Sequence, residues 1–517
     1  MKWISTVLFC CAQFLQAAQP CAVCHPREVQ QYSGSPMAHA SRTPGNQTSG
    51  TFTHKLSGTT FSVVSTPTGM TQAIARHGIT AQYPVAYIIG SGSHASGYVV
   101  RVGDYLFQSP ISYYSRRGVW DMAPGYEQDR LPDFTRPVTY DCLLCHVGSS
   151  FPVDETVNRY KPPYVGVMGI SCSRCHGPVE AHLRKPSRDN IINPARLPAK
   201  ERDSVCEQCH LTGEARVANP GRKFSDFQPG EKLEDVYSIY VFDNSGHSAA
   251  EGSIKVVSQA EQLAKSACAR MSGGRMWCGT CHDPHNRPVD VKSYFRDRCL
   301  TCHGPRLPES HPKTSGDCIG CHMPTRPTND GGHTAFTDHR ITRRPEPGIA
   351  PAKDALIAWR EPANAVQKRN LGLAYITAGE RDQRPQFLDR GLSLLLSTGD
   401  SFASDPAVLT GMGVVYLRKG MSREALRVFE RVAAIDPDSP QYQTNLATGF
   451  AAIGDGDSAI QHLNRAIDLD PSAEVAYRIL AGIYQETHDD AGVKQTFQRY
   501  LKFMPRSLNA RAALGLR

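Results

Sequence analysis

No stretch of this chain approaches the roughly 18 consecutive apolar residues that a membrane-spanning helix requires. Apolar residues make up 40% and charged residues 21% of the 517, ordinary for a soluble chain of two or three domains. A structural disulfide network is also excluded. Of 17 Cys, 14 fall in one recurring motif, Cys10 and Cys11 lie in an apolar leader, and Cys268 alone is left over. A single spare thiol can only pack or remain free.

The recurring motif is Cys-x-x-Cys-His. It occurs as Cys21/Cys24/His25, Cys142/Cys145/His146, Cys172/Cys175/His176 and Cys206/Cys209/His210, then Cys278/Cys281/His282, Cys299/Cys302/His303 and Cys318/Cys321/His322. Two thiols three residues apart can add to the two vinyl groups on one porphyrin edge, and the next imidazole then lies beneath the iron, as in c-type haem attachment. Zinc is the rival reading. Zinc knuckles require pairs of Cys pairs, whereas seven is odd, and no zinc site demands His after every second Cys. No Lys replaces the His in any copy. The expectation is seven covalently attached haem c groups, with the 14 motif Cys as anchors and the seven His as proximal iron ligands.

Met1-Lys2 followed by an apolar run from Trp3 to Leu15 reads as a secretory leader over 1–18. Export to the periplasm or the cell surface agrees with haem attachment outside the cytoplasm. The formal charge is +8, or +7 without Lys2. With two propionates per haem, seven oxidised haems would bring that to about zero, so the basic excess matches cofactors and does not point to nucleic acid.

Between the first and second motifs the texture changes. Thr59–Ser65 and Tyr98–Phe107 are rich in aromatic and β-branched residues, with Gly103-Asp104 as a turn. This predicts a small β-rich insert over about 50–120 within a cytochrome domain spanning 19–345, otherwise built of short helices and loops. A strand is expected at Tyr237–Phe242 and a helix near Gln259–Ala269. Residues 346–355 read as a linker.

Beyond it the chain repeats. Pro437, Pro471 and Pro505 stand 34 residues apart, as do Gly420 and Gly454, Ala425 and Ala459, Phe429, Leu463 and Phe497, and Tyr416, Phe450 and Tyr484. That period with those anchors is the tetratricopeptide repeat. Three regular repeats are predicted at about 405–438, 439–472 and 473–506, preceded by a helical pair at about 356–399 and followed by a capping helix. The fold class is thus mainly α, with an α-solenoid over 356–517 suited to docking another protein.

An electron-carrying iron needs a second axial ligand. Outside the motifs and repeats there are ten His, at 39, 54, 77, 94, 182, 247, 285, 311, 333 and 339. The candidate distal ligands are His39, His54, His94, His182, His285, His311 and His333, with His77 and His247 the weakest of the ten. His182 and His285 follow His176 and His282 too closely to reach the opposite face of the same iron, so each is assigned to a neighbour.

Residues 19 to about 215 resemble the cytochrome c-554 family of multihaem cytochromes. The resemblance rests on Cys21-Ala-Val-Cys24-His25 with Met37-Ala-His39-Ala, on Asp141-Cys142-Leu-Leu-Cys145-His146-Val, on Gly169-Ile-Ser-Cys172-Ser-Arg-Cys175-His176-Gly-Pro and on Val205-Cys206-Glu-Gln-Cys209-His210-Leu. It implies closely packed haems passing electrons between redox partner proteins, with the haem on His146 the best candidate for an open coordination site. The interval between the first two motifs is longer here, and three further motifs follow. The expected function is an exported heptahaem electron carrier with a docking domain. The alternative is a multihaem oxidoreductase acting on a small nitrogen or sulfur compound such as nitrite, hydroxylamine or nitric oxide.

Overall fold

A computed structural model describes residues 20–243, 254–304, 311, 316–342 and 355–516. The proposed leader, His247 and most of the linker lie outside these residues.

The β-structure is larger than the composition implied. A ten-stranded antiparallel sheet runs from Ser41–Arg42 to Arg136–Pro137. Its long strands alternate as a half-buried sheet should: in Ile79–Ile89, Ile79, Ala81, Tyr83 and Val85 are buried and the residues between them are exposed. Thr59–Thr66, Gly69–Arg76 and Ile79–Ile89 form a meander. Its second turn is His77-Gly78, with φ of 51° and 78°. Two successive positive φ values match the twist of the flanking strands, and they place His77 in a turn. Phe61, Ile74, Tyr98, Phe107 and Phe134 fill the core. The expected boundaries missed the short strands at both ends, whose pairing partners are distant in sequence.

Two further sheets were only partly foreseen. A hairpin, Val147–Pro152 with Tyr160–Met168, separates the second and third motifs. Tyr237–Phe242 is buried along its whole length, because it is the middle strand between Ala215–Ala218 and Leu356–Ala358. Its second partner arrives from beyond the last motif. The motif region itself consists of short helices and loops, including Gln259–Lys265 and Ala267–Met271.

The C-terminal part is a solenoid of antiparallel helix pairs. Pro406–Arg418 pairs with Ser422–Ile435, Pro440–Ala452 with Gly456–Leu469, and Glu474–Glu486 with Asp490–Phe503. The pair Asn364–Arg381 and Pro385–Leu396 precedes them, and Leu508–Ala513 follows. The period has a direct packing cause. Ala425, Phe429, Ala459 and Leu463 are the repeated small and large residues, and all are at most 1% exposed between helices.

The solenoid is fastened at both ends. At its start, Arg369 donates to the Ala218 carbonyl and ion-pairs with Asp405 at 2.9 Å, while the Asn370 amide donates to Asn219 and Ser238. At its end, Phe503 packs edge-on against Tyr105 at 5.0 Å between ring centres, and Arg511 donates to the Thr80 carbonyl. The ten-stranded sheet and the last repeat share one hydrophobic cluster.

Candidate functional site

Every motif forms about one helical turn. The Cys21 carbonyl accepts from the backbone N–H of Cys24 and His25, the Cys172 carbonyl from Cys175 and His176, and the Cys278 carbonyl from His282. The fourth and sixth motifs end the longer helices Ala199–His210 and Val291–His303. Thr139 caps the second motif's helix by accepting from the Cys142 N–H, and Asp317 caps the seventh's by accepting from Gly320. In a helical turn, residues at i, i+3 and i+4 share a face. Two thiols and an imidazole therefore project together at each copy. That is why the chemistry uses this spacing.

The motif thiols look alike in the sequence, and the structure separates them. Cys302 of the sixth motif and Cys321 of the seventh are exposed, as are Cys24 and Cys142, whereas the remaining motif thiols are half-buried. The helices that carry Cys302 and Cys321, Val291–His303 and Cys318–His322, bury no residue against the rest of the protein. Among the described residues no two Cys are joined in a disulfide.

The imidazoles meet in twos. His25 faces His182 with ring centres 6.4 Å apart and planes 20° from parallel. His176 faces His285 at 5.9 Å and 23°, His282 faces His339 at 6.2 Å and 29°, and His322 faces His311 at 6.2 Å and 34°. Rings in direct contact are closer, as His94 and Phe336 are at 4.1 Å. Each coordinating nitrogen would lie ~2 Å from a metal and each ring centre ~1 Å beyond it, so two imidazoles on opposite faces of one metal sit ~6 Å apart. The four pairs match that separation, and in each one ring belongs to a motif.

Their hydrogen bonds select the tautomer. A backbone carbonyl can only accept, so each Nδ1 that meets one carries the proton. His182 donates to the Ser187 carbonyl at 3.0 Å, His176 to Ile192 at 2.7 Å, His339 to Thr337 at 2.9 Å and His322 to Thr342 at 2.9 Å. Each of the four pairs contains one such ring, whose Nε2 is left as a lone pair. Anchoring the far nitrogen in this way is the usual support for a metal-ligating His. In the second pair, the Asp283 carboxylate also lies 3.6 Å from the Nδ1 of His285. Burial holds His176 and His339 below the usual imidazole range and brings His282 down to about 4, aided by His339 and His210.

Other candidates are placed differently. His54 has both nitrogens engaged, by the Ser57 hydroxyl at 2.9 Å and the Glu127 carbonyl at 3.1 Å. His333 is held by Arg117 at 2.9 Å and Asp121 at 2.7 Å. A guanidinium can only donate, so the Nδ1 of His333 accepts and its Nε2 donates to Asp121. His94 lies flat on Phe336, with its Nδ1 buried and without a hydrogen bond. His39 is exposed. Among the described residues no second imidazole stacks on His146, His210 or His303, and no three His, Cys, Asp or Glu side chains converge on a bare ion.

His339 was outside the seven favoured candidates. What positions it is its neighbour Asp338, 1% exposed, whose carboxylate receives Arg326 and Arg340, each at 2.6 Å. The His339 N–H also donates to the Gln262 side chain at 2.8 Å. Its trace in the sequence was the run Asp338-His339-Arg340 downstream of the last motif.

The motifs also touch one another. The Cys145 thiol lies 3.7 Å from the Gln208 carbonyl, Gln208 donates to the Arg174 carbonyl at 3.0 Å, and Lys292 pairs with Asp317 at 2.9 Å. Inside the fourth motif, Glu207 is buried between Arg360, at 2.7 Å, and the indole N–H of Trp359, at 3.1 Å. Burial pushes its carboxyl up to about 7, against the pull of Arg360.

No family model matches the chain. A stretch of 124 residues is 28% identical to the human protein O-mannosyl-transferase TMTC1, and covers 24% of this chain and 13% of that one. A stretch of 81 residues is 35% identical to the TPR repeat-containing thioredoxin TTL4 of Arabidopsis thaliana, and covers 16% and 12%. The chain thus spans about an eighth of the length of these curated relatives. Among solved structures, MamA is similar over 26% of this chain and 80% of its own, at 18% identity and a TM-score of 0.24. The C-terminal helix pairs are tetratricopeptide repeats, a fold for protein–protein interaction.

Proposed function

We propose that the chain is an exported seven-haem c-type cytochrome that passes electrons between redox partner proteins, and that its repeats contribute to docking them. The observation that carries this is the set of four imidazole pairs at 5.9–6.4 Å, each pairing one motif His with a His from elsewhere. A c-type haem supplies an iron that cycles between ferric and ferrous states. The protein's part is to hold each group by two thiols and one imidazole and to present a second imidazole where one is paired. Two nitrogen ligands per iron, one of each pair fixed by a backbone carbonyl, would favour transfer of electrons over binding of a substrate.

His182, His285, His311 and His339 support ligation at four of the seven motifs. His54 and His333 have their nitrogens committed to protein partners, and we leave them out of the ligand set. The test is intact-mass measurement and pyridine haemochrome quantification of protein expressed with a c-type maturation system. Seven haems per chain are expected, and a haem-free product from a maturation-competent host would overturn the proposal.

A further inference from the structure

The four pairs share an order that motif spacing does not contain. His182 follows the third motif by six positions and faces His25 of the first. His285 follows the fifth motif by three and faces His176 of the third. His339 follows the seventh by 17 and faces His282 of the fifth. In each case the imidazole downstream of one odd-numbered motif reaches back to the odd-numbered motif before it. His311, ahead of the seventh motif, closes the series at His322.

Resting on the haem reading above, we infer that the odd-numbered motifs are stitched into one series, in which His182, His285 and His339 each complete the coordination begun at the preceding odd-numbered motif. The supports are built for this. The turn after the third motif holds His182 through the Ser187 carbonyl and the Asn190 side chain, both at 3.0 Å. His339 ends the strand pair Thr325–Pro327 and Ala335–Thr337, locked by Asp338 between Arg326 and Arg340. The first, third and fifth motifs each lack a second nitrogen until the segment after the next odd motif has folded. Coordination therefore couples the folding of segments up to about 160 positions apart.

The experiment is an epistasis test on the haem-loaded full chain, read by electron paramagnetic resonance alongside haem quantification. H339A is expected to keep seven haems and convert one low-spin iron to high-spin. In the C278S/C281S chain, which cannot attach a haem at the fifth motif, adding H339A is expected to produce no further high-spin signal. A new high-spin iron in both backgrounds would place His339 on another motif, and none in either would remove it as a ligand. Both results overturn the inference. H182A in the C21S/C24S chain repeats the test at the first motif, should the fifth-motif variant fail to accumulate. H339M is expected to restore a low-spin iron with a raised potential, since a thioether replaces an imidazole. A wild-type chain without haem would instead overturn the reading on which this rests.

Discussion

Ser507 donates its hydroxyl proton to the carboxylate of Asp133 at 3.0 Å, with both residues no more than 2% exposed. One stands at the end of the solenoid and the other beside the ten-stranded sheet. Asp133 also faces the Asn509 N–H, and Asn509 in turn accepts from Arg76. The repeats are thus built into the body of the protein at this edge, and their docking capacity resides in the surface left over. Removing 355–517 would strip the sheet of packing, which the sequence did not suggest.

Asp133→Ala leaves a buried hydroxyl and a backbone N–H unpaired, and we expect a loss of about 3 kcal/mol. Denaturant unfolding reads the loss, and faster hydrogen exchange in Leu508–Ala513 localises it. Burial pushes the Asp133 carboxyl above the ordinary range. Its contribution is therefore fully present at or below the ordinary carboxylate value and falls as pH rises through the raised one. Asp133→Asn, neutral at every pH, should lose less and flatten that dependence.

Glu207 gives a second pH signature. Its carboxyl moves from an ordinary 4.5 to about 7, so stability should decline between roughly pH 4.5 and 7 by up to about 3 kcal/mol. Glu207→Gln removes the charge while keeping an acceptor for Arg360 and Trp359. The variant's unfolding midpoint should vary less across that interval and approach or exceed the wild type at pH 8. A wild-type curve flat from pH 4.5 to 7 would contradict this.

At the opposite end, Arg369 is 4% exposed and joins Asp405 to the Ala218 carbonyl. Arg369→Ala strands a buried carboxylate and should cost about 3–5 kcal/mol. Arg369→Met, which keeps much of the volume, should not recover it, because the Asp405 carboxylate keeps its helix-cap bonds from the Ala407 and Val408 N–H groups but still lacks a counter-charge. Thermal unfolding of both variants checks the comparison.

Gly169 has φ of +67°, and a Cβ there would run into the Ala38 carbonyl. Gly169→Ala combines backbone strain with a collision against a chain segment that also carries His39. We expect at least about 3 kcal/mol of destabilisation, with reduced yield of folded protein as the first sign. Gly58→Ala, where φ is +63° and nothing lies within 4 Å, should cost only the strain, about 1 kcal/mol.

If the chain carries the proposed haems, His54→Ala and His333→Ala should leave their absorption and low-spin signals unchanged, because the replaced nitrogens meet Ser57, Glu127, Arg117 and Asp121. His333→Ala should cost about 1 kcal/mol through its half-exposed contacts. A new high-spin iron in either variant would return that residue to the ligand set.

The sequence by itself determined whatever repeats over a short distance. Seven Cys-x-x-Cys-His copies are legible because one helical turn brings thiols and imidazole to one face. The tetratricopeptide repeats are legible because Ala425 and Phe429 must recur as Ala459 and Leu463 for helix pairs to stack. Tertiary structure alone decided which distant groups meet and which thiols stay exposed, as Cys302 and Cys321 do. His339 opposes His282 only because a buried Asp338 and two arginines fix the intervening hairpin. His54 and His333 are drawn aside by partners 73 and 212 positions away. Asp133 finds Ser507 only when the last repeat closes onto the sheet. A local pattern specifies which side chains one turn presents together, whereas the partner across a gap depends on how the whole chain packs.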